Sequence, residues 1–154
     1  MVKIKIIATG NEKDKFINGA ISELTKRISR WAEVKIIYVN EYAPINDSMI
    51  ETSLTRESEA QLKNFEGFVF ALDKAGKTYS SEEFAEKLDR LTLTNSTITF
   101  IIGGSCGLSN TVKDKANALL SFGPLTLPHE LARLVLVEQI YRAFTIKNNL
   151  PYHK

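Results

Sequence analysis

Cysteine is almost missing from this chain: Cys106 stands alone among 154 residues. One thiol cannot close an internal disulfide. With only His129 and His153 beside it, the ligands of a structural zinc site are lacking as well. Long apolar runs are also missing, none approaching the roughly 20 residues of a membrane span. The opening Met1-Val2-Lys3-Ile4-Lys5-Ile6-Ile7 has neither the extended apolar core nor the small-residue cleavage site of a signal peptide. The expected home is the cytoplasm, with no membrane association. Charge of one sign is scarce. A formal net charge of +2 does not argue for nucleic acid by itself and merely permits a local basic surface. Two nucleotide motifs are absent too. The first strand leads into Thr9-Gly10-Asn11-Glu12-Lys13, with one glycine where a dinucleotide fingerprint needs three, and no GxxxxGK[ST] loop occurs anywhere.

What is present is ordinary in bulk and informative in order. A hydrophobic fraction of 44% and a charged fraction of 25% suit a globular chain, and the length suits one domain spanning residues 1–154. Val2 to Ala8 reads as a strand. Asp14 to Trp31 carries Phe16, Ile17, Ala20, Ile21, Leu24, Ile28 and Trp31 at helical spacing. Val34 to Val39 reads as a strand and Ser48 to Asn64 as a polar helix. Phe68 to Leu72 is a short, wholly apolar strand followed by a turn over Asp73–Lys77. Ser80-Ser81-Glu82-Glu83 is a capping box opening a helix to about Leu91. Ile98 to Ile102 is another buried strand, Ser109 to Leu120 a helix, Leu125 to Leu127 a last short strand, and Glu130 to Thr145 a long apolar helix. This alternation predicts an α/β domain with a mainly parallel sheet and helices on both faces.

Ligands of such sheets bind beyond the carboxyl ends of strands, and the segments after Leu72, Ile102 and Phe122 all satisfy that rule. Gly103-Gly104-Ser105-Cys106-Gly107-Leu108 follows a strand directly. Its glycines allow close backbone approach to a ligand, but a tight strand-to-helix turn explains them equally well. Phe122-Gly123-Pro124-Leu125-Thr126-Leu127-Pro128-His129 then leads into the long helix, and the chain finishes Leu150-Pro151-Tyr152-His153-Lys154.

Taken together, the blocks KIKIIATG, ALDKAGK, FIIGGSCGLS, LTLPHELARLVLVEQIYRAF and PYHK resemble the SPOUT class of S-adenosylmethionine-dependent RNA methyltransferases, and most closely its RlmH family. The resemblance spans essentially the whole chain, and its last three blocks are the most specific. It implies a C-terminal trefoil knot, which strand-and-helix patterns do not suggest and general experience of folds argues against. It implies S-adenosyl-L-methionine held by three segments: Leu72; Gly103; and Phe122, Gly123, Pro124, Leu125, Thr126 and Leu127. The implied acceptor is N3 of a pseudouridine in 23S ribosomal RNA within the ribosome, and the implied assembly is a homodimer whose site draws on both subunits. No metal is implied, because a sulfonium already activates its methyl group.

The N3 proton must leave before or during attack, so a base or an anion-stabilising cation is expected. His153, Tyr152 and Arg142 are the candidates on the catalytic side, with Lys154 and Arg133 as RNA contacts. Tyr152 could stack on a flipped base. Arg133 and Arg142 lie nine residues apart, about 180° around a helix, and so cannot serve one face. His129 is expected to orient the cofactor loop. Cys106, with no histidine near it in sequence, is expected to be a small loop residue and not a nucleophile. Two other classes remain open: a non-catalytic RNA- or ribosome-binding module of the same fold, and a nucleotide-binding α/β enzyme with phosphate at Gly103-Gly104.

Overall fold

In the computed structural model, which describes residues 1–154, the chain forms one five-stranded, all-parallel sheet. The elements in order are β1 (Val2–Thr9), α1 (Lys15–Ile28), β2 (Ala32–Val39), a short 3-10 turn (Asp47–Met49), α2 (Ile50–Lys63), β3 (Phe68–Lys77), α3 (Ser81–Thr94), β4 (Thr97–Ile102), α4 (Asn110–Lys115), β5 (Ala118–Leu120) and α5 (His129–Lys147). The strand order is β2-β1-β4-β3-β5. Steps from β1 to β2 and from β3 to β4 run one way across the sheet, with α1 and α3 on one face. Steps from β2 to β3 and from β4 to β5 run the other way, with α2 and α4 on the opposite face. Reversing both direction and face keeps a single hand for every crossover, as parallel connections require.

Alternation along the central strands fills two cores of unequal size. Ile4, Ile6, Phe70, Ile98 and Phe100 face α1, α3 and α5, and Phe70 stacks on Phe100 with ring centroids 5.1 Å apart. Ile7, Val69, Ala71 and Ile101 face α2 and α4. Every residue of β4 is buried, Thr97 and Thr99 included, and the Thr99 hydroxyl donates to the Glu66 carbonyl at 2.6 Å. α5 buries Leu136, Val137, Ile140, Ala143 and Phe144 between α1 and α3, each large side chain worth roughly 1.5–3 kcal/mol.

Local signals set several boundaries. Asp14 caps α1 by accepting from the Phe16 and Ile17 amides, so the helix starts at Lys15, one residue after the boundary read from the sequence. It ends at Ile28, and Trp31 instead stacks on Phe144 of α5 at 5.7 Å. The capping box at Ser80 and Glu83 forms as read.

Three expectations are corrected. The turn over Asp73–Lys77 is an outward bulge within β3: Leu120 pairs with both Leu72 and Lys77, leaving residues 73–76 looped from the ladder. Helix α4 stops at Lys115 instead of Leu120, because Asn117 docks on β3. Its amide donates to the Val69 carbonyl and its side-chain oxygen accepts from the Val69 amide, both at 2.8 Å. Ala118–Leu120 is therefore the last strand. Leu125–Leu127 is not a strand but a loop whose Leu125 side chain is 78% exposed. No helix is long and apolar enough to cross a membrane.

Candidate functional site

The ends of β3, β4 and β5 meet on one side of the sheet, where Leu72 lies opposite Leu120. The loops leaving them enclose a cavity of about 750 Å³, within the range common for small-molecule sites. One wall is Leu72–Lys74, a second is Ile102–Gly107, and a third is Phe122, Gly123 and Leu125–Pro128, with His129 and Ala132 of α5 behind. Lys74 hydrogen-bonds the Thr126 hydroxyl, joining the first wall to the third. Gly123 holds φ at 101°, a left-handed value suited to glycine, while its amide donates to the Ser121 hydroxyl at 3.0 Å. Of the residues expected to hold a cofactor, Leu72, Gly103, Phe122, Gly123, Leu125, Thr126 and Leu127 line this space. Pro124 does not.

The paired glycines fit the tight-turn reading. A Cβ on Gly103 would lie 2.3 Å from the Gly107 carbonyl oxygen, and one on Gly104 would lie 2.4 Å from Glu41 Oε1. Their missing side chains admit neighbouring protein atoms, so the loop can close on itself and on Glu41. Glu41 follows β2 and accepts from the Ser105 amide at 2.7 Å. Burial works to raise this carboxyl. The backbone and hydroxyl hydrogen bonds from Ser105, with His129 and Arg133 close by, outweigh that and hold it below the usual carboxylate range.

Arg133 is 3% exposed and points inward. Its guanidinium donates to the Thr9 carbonyl at 2.8 Å and the Asn11 carbonyl at 3.1 Å and lies 5.4 Å from the Tyr38 ring. Burial lowers its pKa, and burial with the Glu12 hydrogen bond pushes the Tyr38 hydroxyl up to about 12. The RNA contact expected of Arg133 is thus corrected: both its terminal nitrogens tie α5 to the end of β1. The opposition of Arg133 and Arg142 around the helix holds.

Arg142 faces outward into a second cluster. It pairs with Glu138 Oε1 at 2.5 Å and 3.0 Å, and Tyr152 donates to the same oxygen at 3.1 Å. His153 lies between Arg142 Nη1, 3.1 Å from its Nδ1, and Glu82 Oε1, 2.6 Å from its Nε2. An arginine can only donate, so Nδ1 accepts and Nε2 carries the proton toward Glu82. Glu138 raises the Arg142 pKa. Burial first, then the Glu138 hydrogen bond, raises that of Tyr152. None of His153, Tyr152, Arg142 and Lys154 lines the cavity. Arg142 stands ten residues beyond Ala132, about 15 Å along α5. The structure therefore brings together the three cofactor segments, and separately the tail and Arg142, but does not join the two groups within one chain.

A family described as "Predicted SPOUT methyltransferase" matches residues 2–153. The chain belongs to this SPOUT methyltransferase family. It is 48% identical over 159 aligned positions to a Streptococcus pneumoniae protein (strain CGSP14) named Ribosomal RNA large subunit methyltransferase H, covering 99% of this chain and all of that one. Among solved structures, a probable methyltransferase from Bordetella pertussis Tohama I superposes with a TM-score of 0.56 at 15% identity, over 92% of this chain and 96% of that one. A probable methylase family protein from Haemophilus influenzae Rd KW20 gives 0.54 at 16%, over 99% and 70%. At such identities the likeness concerns the fold alone. The α/β architecture is that of the SPOUT family, and the C-terminal knot comes with it. A knot is a matter of how the chain threads, which neither strand order nor register discloses.

Sequence reasoning missed Glu41. A single carboxylate after a strand gives no sign that the partner of its hydrogen bond lies 64 residues away. The only available signal was its position at a strand's carboxyl end, a rule applied to the other three strand ends.

Proposed function

We propose that this chain is an S-adenosyl-L-methionine-dependent ribosomal RNA methyltransferase that modifies N3 of a pseudouridine in 23S rRNA. It would work as a cytoplasmic homodimer on assembled ribosomes, with residues 1–154 as one domain. The observation that carries this reading is the convergence of Leu72, Gly103 and Phe122–Leu127, three segments distant in sequence, around one cavity. That cavity fits the donor. Leu72, Ile102, Phe122 and Leu127 offer an apolar slot for adenine, and the strand-end peptide groups beside them offer donors and acceptors. Once bound, S-adenosyl-L-methionine supplies a methyl group already activated for displacement.

The protein's task is then alignment and control of one proton. Orientation of bound reactants supplies roughly 7–11 kcal/mol in favourable cases. Tyr152 would stack against the acceptor base, a contact worth roughly 1–3 kcal/mol. Arg142 and Lys154 would stabilise negative charge as the N3 proton departs. His153 would accept that proton only after surrendering its Nδ1 hydrogen bond from Arg142.

The distance from tail to cavity favours a site completed by a second copy, whose Tyr152, His153 and Lys154 would face this protomer's cavity. Phe16, 91% exposed, and Leu131, 36% exposed, give that copy apolar surface in the first turns of α1 and α5. Purified protein given S-adenosyl-L-methionine and ribosomes from cells lacking it should add one methyl to one pseudouridine, read by mass spectrometry. Absence of methyl on any ribosomal nucleotide would overturn the reading in favour of a non-catalytic binding module. A monomer at micromolar concentration in sedimentation equilibrium would overturn the shared site.

A further inference from the structure

Three aromatic rings run in series across the surface formed by α1, α5 and the tail. Trp31 lies 6.2 Å from Tyr141, and Tyr141 lies 4.7 Å from Tyr152, centroid to centroid. Each ring carries a guanidinium: Arg30 over Trp31 at 5.0 Å, Arg27 over Tyr141 at 5.8 Å, and Arg142 over Tyr152 at 4.8 Å. Beside the middle ring is a recess of about 270 Å³, lined by Glu23, Lys26, Arg27, Arg30 and Tyr141. Three cations against one carboxylate leave +2 at this recess, as much as the entire chain carries. Lys26 and Arg30 have no carboxylate within 4 Å, whereas Arg27 pairs with Glu23 at 3.1 Å and Arg142 with Glu138 at 2.5 Å.

We propose that this ladder is an RNA-docking surface that grips the phosphate backbone flanking the acceptor nucleotide. The inference rests on the function proposed above and names the surface that reaction requires. Basic residues are favoured at any helix C-terminus by the backbone dipole. That preference accounts for Lys26 and Arg27 as charges, but not for the aromatic ring beneath each guanidinium or for the recess beside Tyr141. Arg30, over Trp31, has no carboxylate partner, and Arg27 spends only its Nε on Glu23, so the terminal N–H groups of both can meet a phosphate's paired oxygens, whereas Arg142 is taken up by Glu138 and His153. RNA suits the surface better than an acidic protein patch because the third ring, Tyr152, adjoins His153. A polymer with one phosphate per nucleotide can lie over Arg30 and Arg27 and still present a base at the tail.

The test uses Lys26→Gln, Arg27→Gln and Arg30→Gln together, with a protein-free RNA stem-loop and intact large ribosomal subunits as probes, from about 50 to about 200 mM salt. On both probes, affinity should fall on the order of 10- to 100-fold. The slope of log affinity against log salt should shrink by about 2–3, one increment per lost phosphate contact. Affinity for S-adenosyl-L-methionine and the unfolding midpoint should not change. Arg27→Lys with Arg30→Lys keeps the charge but loses the planar fork, so it should keep the slope and still bind more weakly than wild type. An unchanged slope in the triple variant overturns the proposal. So does a loss confined to ribosomal subunits, which would indicate a ribosomal protein as partner, or a wild-type chain that ignores protein-free RNA. A wild-type chain that transfers no methyl group sinks the proposed function. One that methylates while the triple variant binds normally sinks only this surface.

Discussion

Gly104→Ala, read together with Glu41→Ala, tests whether Glu41 sets the shape of the Gly103–Gly107 loop. A Cβ at position 104 would lie 2.4 Å from Glu41 Oε1 and 2.7 Å from its Cδ. Ordinary contact begins near 3.4 Å, so the carboxylate must retreat by about 1 Å, which breaks its 2.7 Å bond from the Ser105 amide. A hydrogen bond to a charged group is worth about 1.5–3 kcal/mol, and Ser105 is exposed enough for water to replace part of it. Gly104→Ala should therefore cost about 1–2 kcal/mol, and Glu41→Ala a similar amount, because both remove one bond. In the Glu41→Ala background the new methyl meets no carboxylate. Its cost should vanish or turn into a gain of about 0.4–1 kcal/mol from the stiffer unfolded chain. Urea unfolding of the four proteins gives the coupling directly, and calorimetry with S-adenosyl-L-methionine gives a parallel one because this loop lines the cavity. Costs that add within about 0.5 kcal/mol would refute the mechanism.

Two further outcomes follow from the geometry. Gly76→Ala would place a Cβ 2.6 Å from the Leu119 carbonyl carbon and 2.8 Å from the Leu120 amide nitrogen, so β5 must shift. A cost of about 1–3 kcal/mol in urea unfolding, with weakened cofactor binding, is expected. Glu57, buried on α2, accepts from the Tyr42 amide at 2.8 Å. Burial lifts its carboxyl above the ordinary value, with the Glu41 charge adding to the lift and the Tyr42 bond opposing it. Folding thus favours its protonated form, and the stability it contributes is fullest below the unfolded carboxyl value and declines as pH rises through the folded one. Glu57→Gln should gain stability relative to wild type as pH goes from about 4 to about 7, measured by thermal unfolding. A constant difference across that range would contradict it.

Much of this was legible in the residues, for identifiable reasons. β4 is a run of β-branched and aromatic residues buried throughout, and Ser80 with Glu83 encodes a helix start within four residues, so both appear where the sequence puts them. The loops after Leu72 and Ile102 were legible because the rule about strand ends needs only strand positions, whereas the strand before Phe122 was read as helix and its loop was carried by the family resemblance. The stretch Ala116–Leu120 misleads because its composition suits a helix, while its fate is set by Asn117 bonding Val69, 48 residues away. Arg133 misleads likewise. A charge in an apolar helix reads as exposed, yet the Thr9 and Asn11 carbonyls need donors and it supplies them.

The tail's docking onto its own helix has a consequence for encounter rates. Leu150 donates to the Thr145 carbonyl at 2.9 Å, Tyr152 is held by Glu138 and His153 by Glu82, so the last turn of chain is shaped before it meets anything else. Fixing a residue's backbone costs roughly 1–2 kcal/mol, so about four residues already in place remove roughly 4–8 kcal/mol from the barrier to productive collision. A tail ordered in advance spends none of its contact energy on finding its own shape.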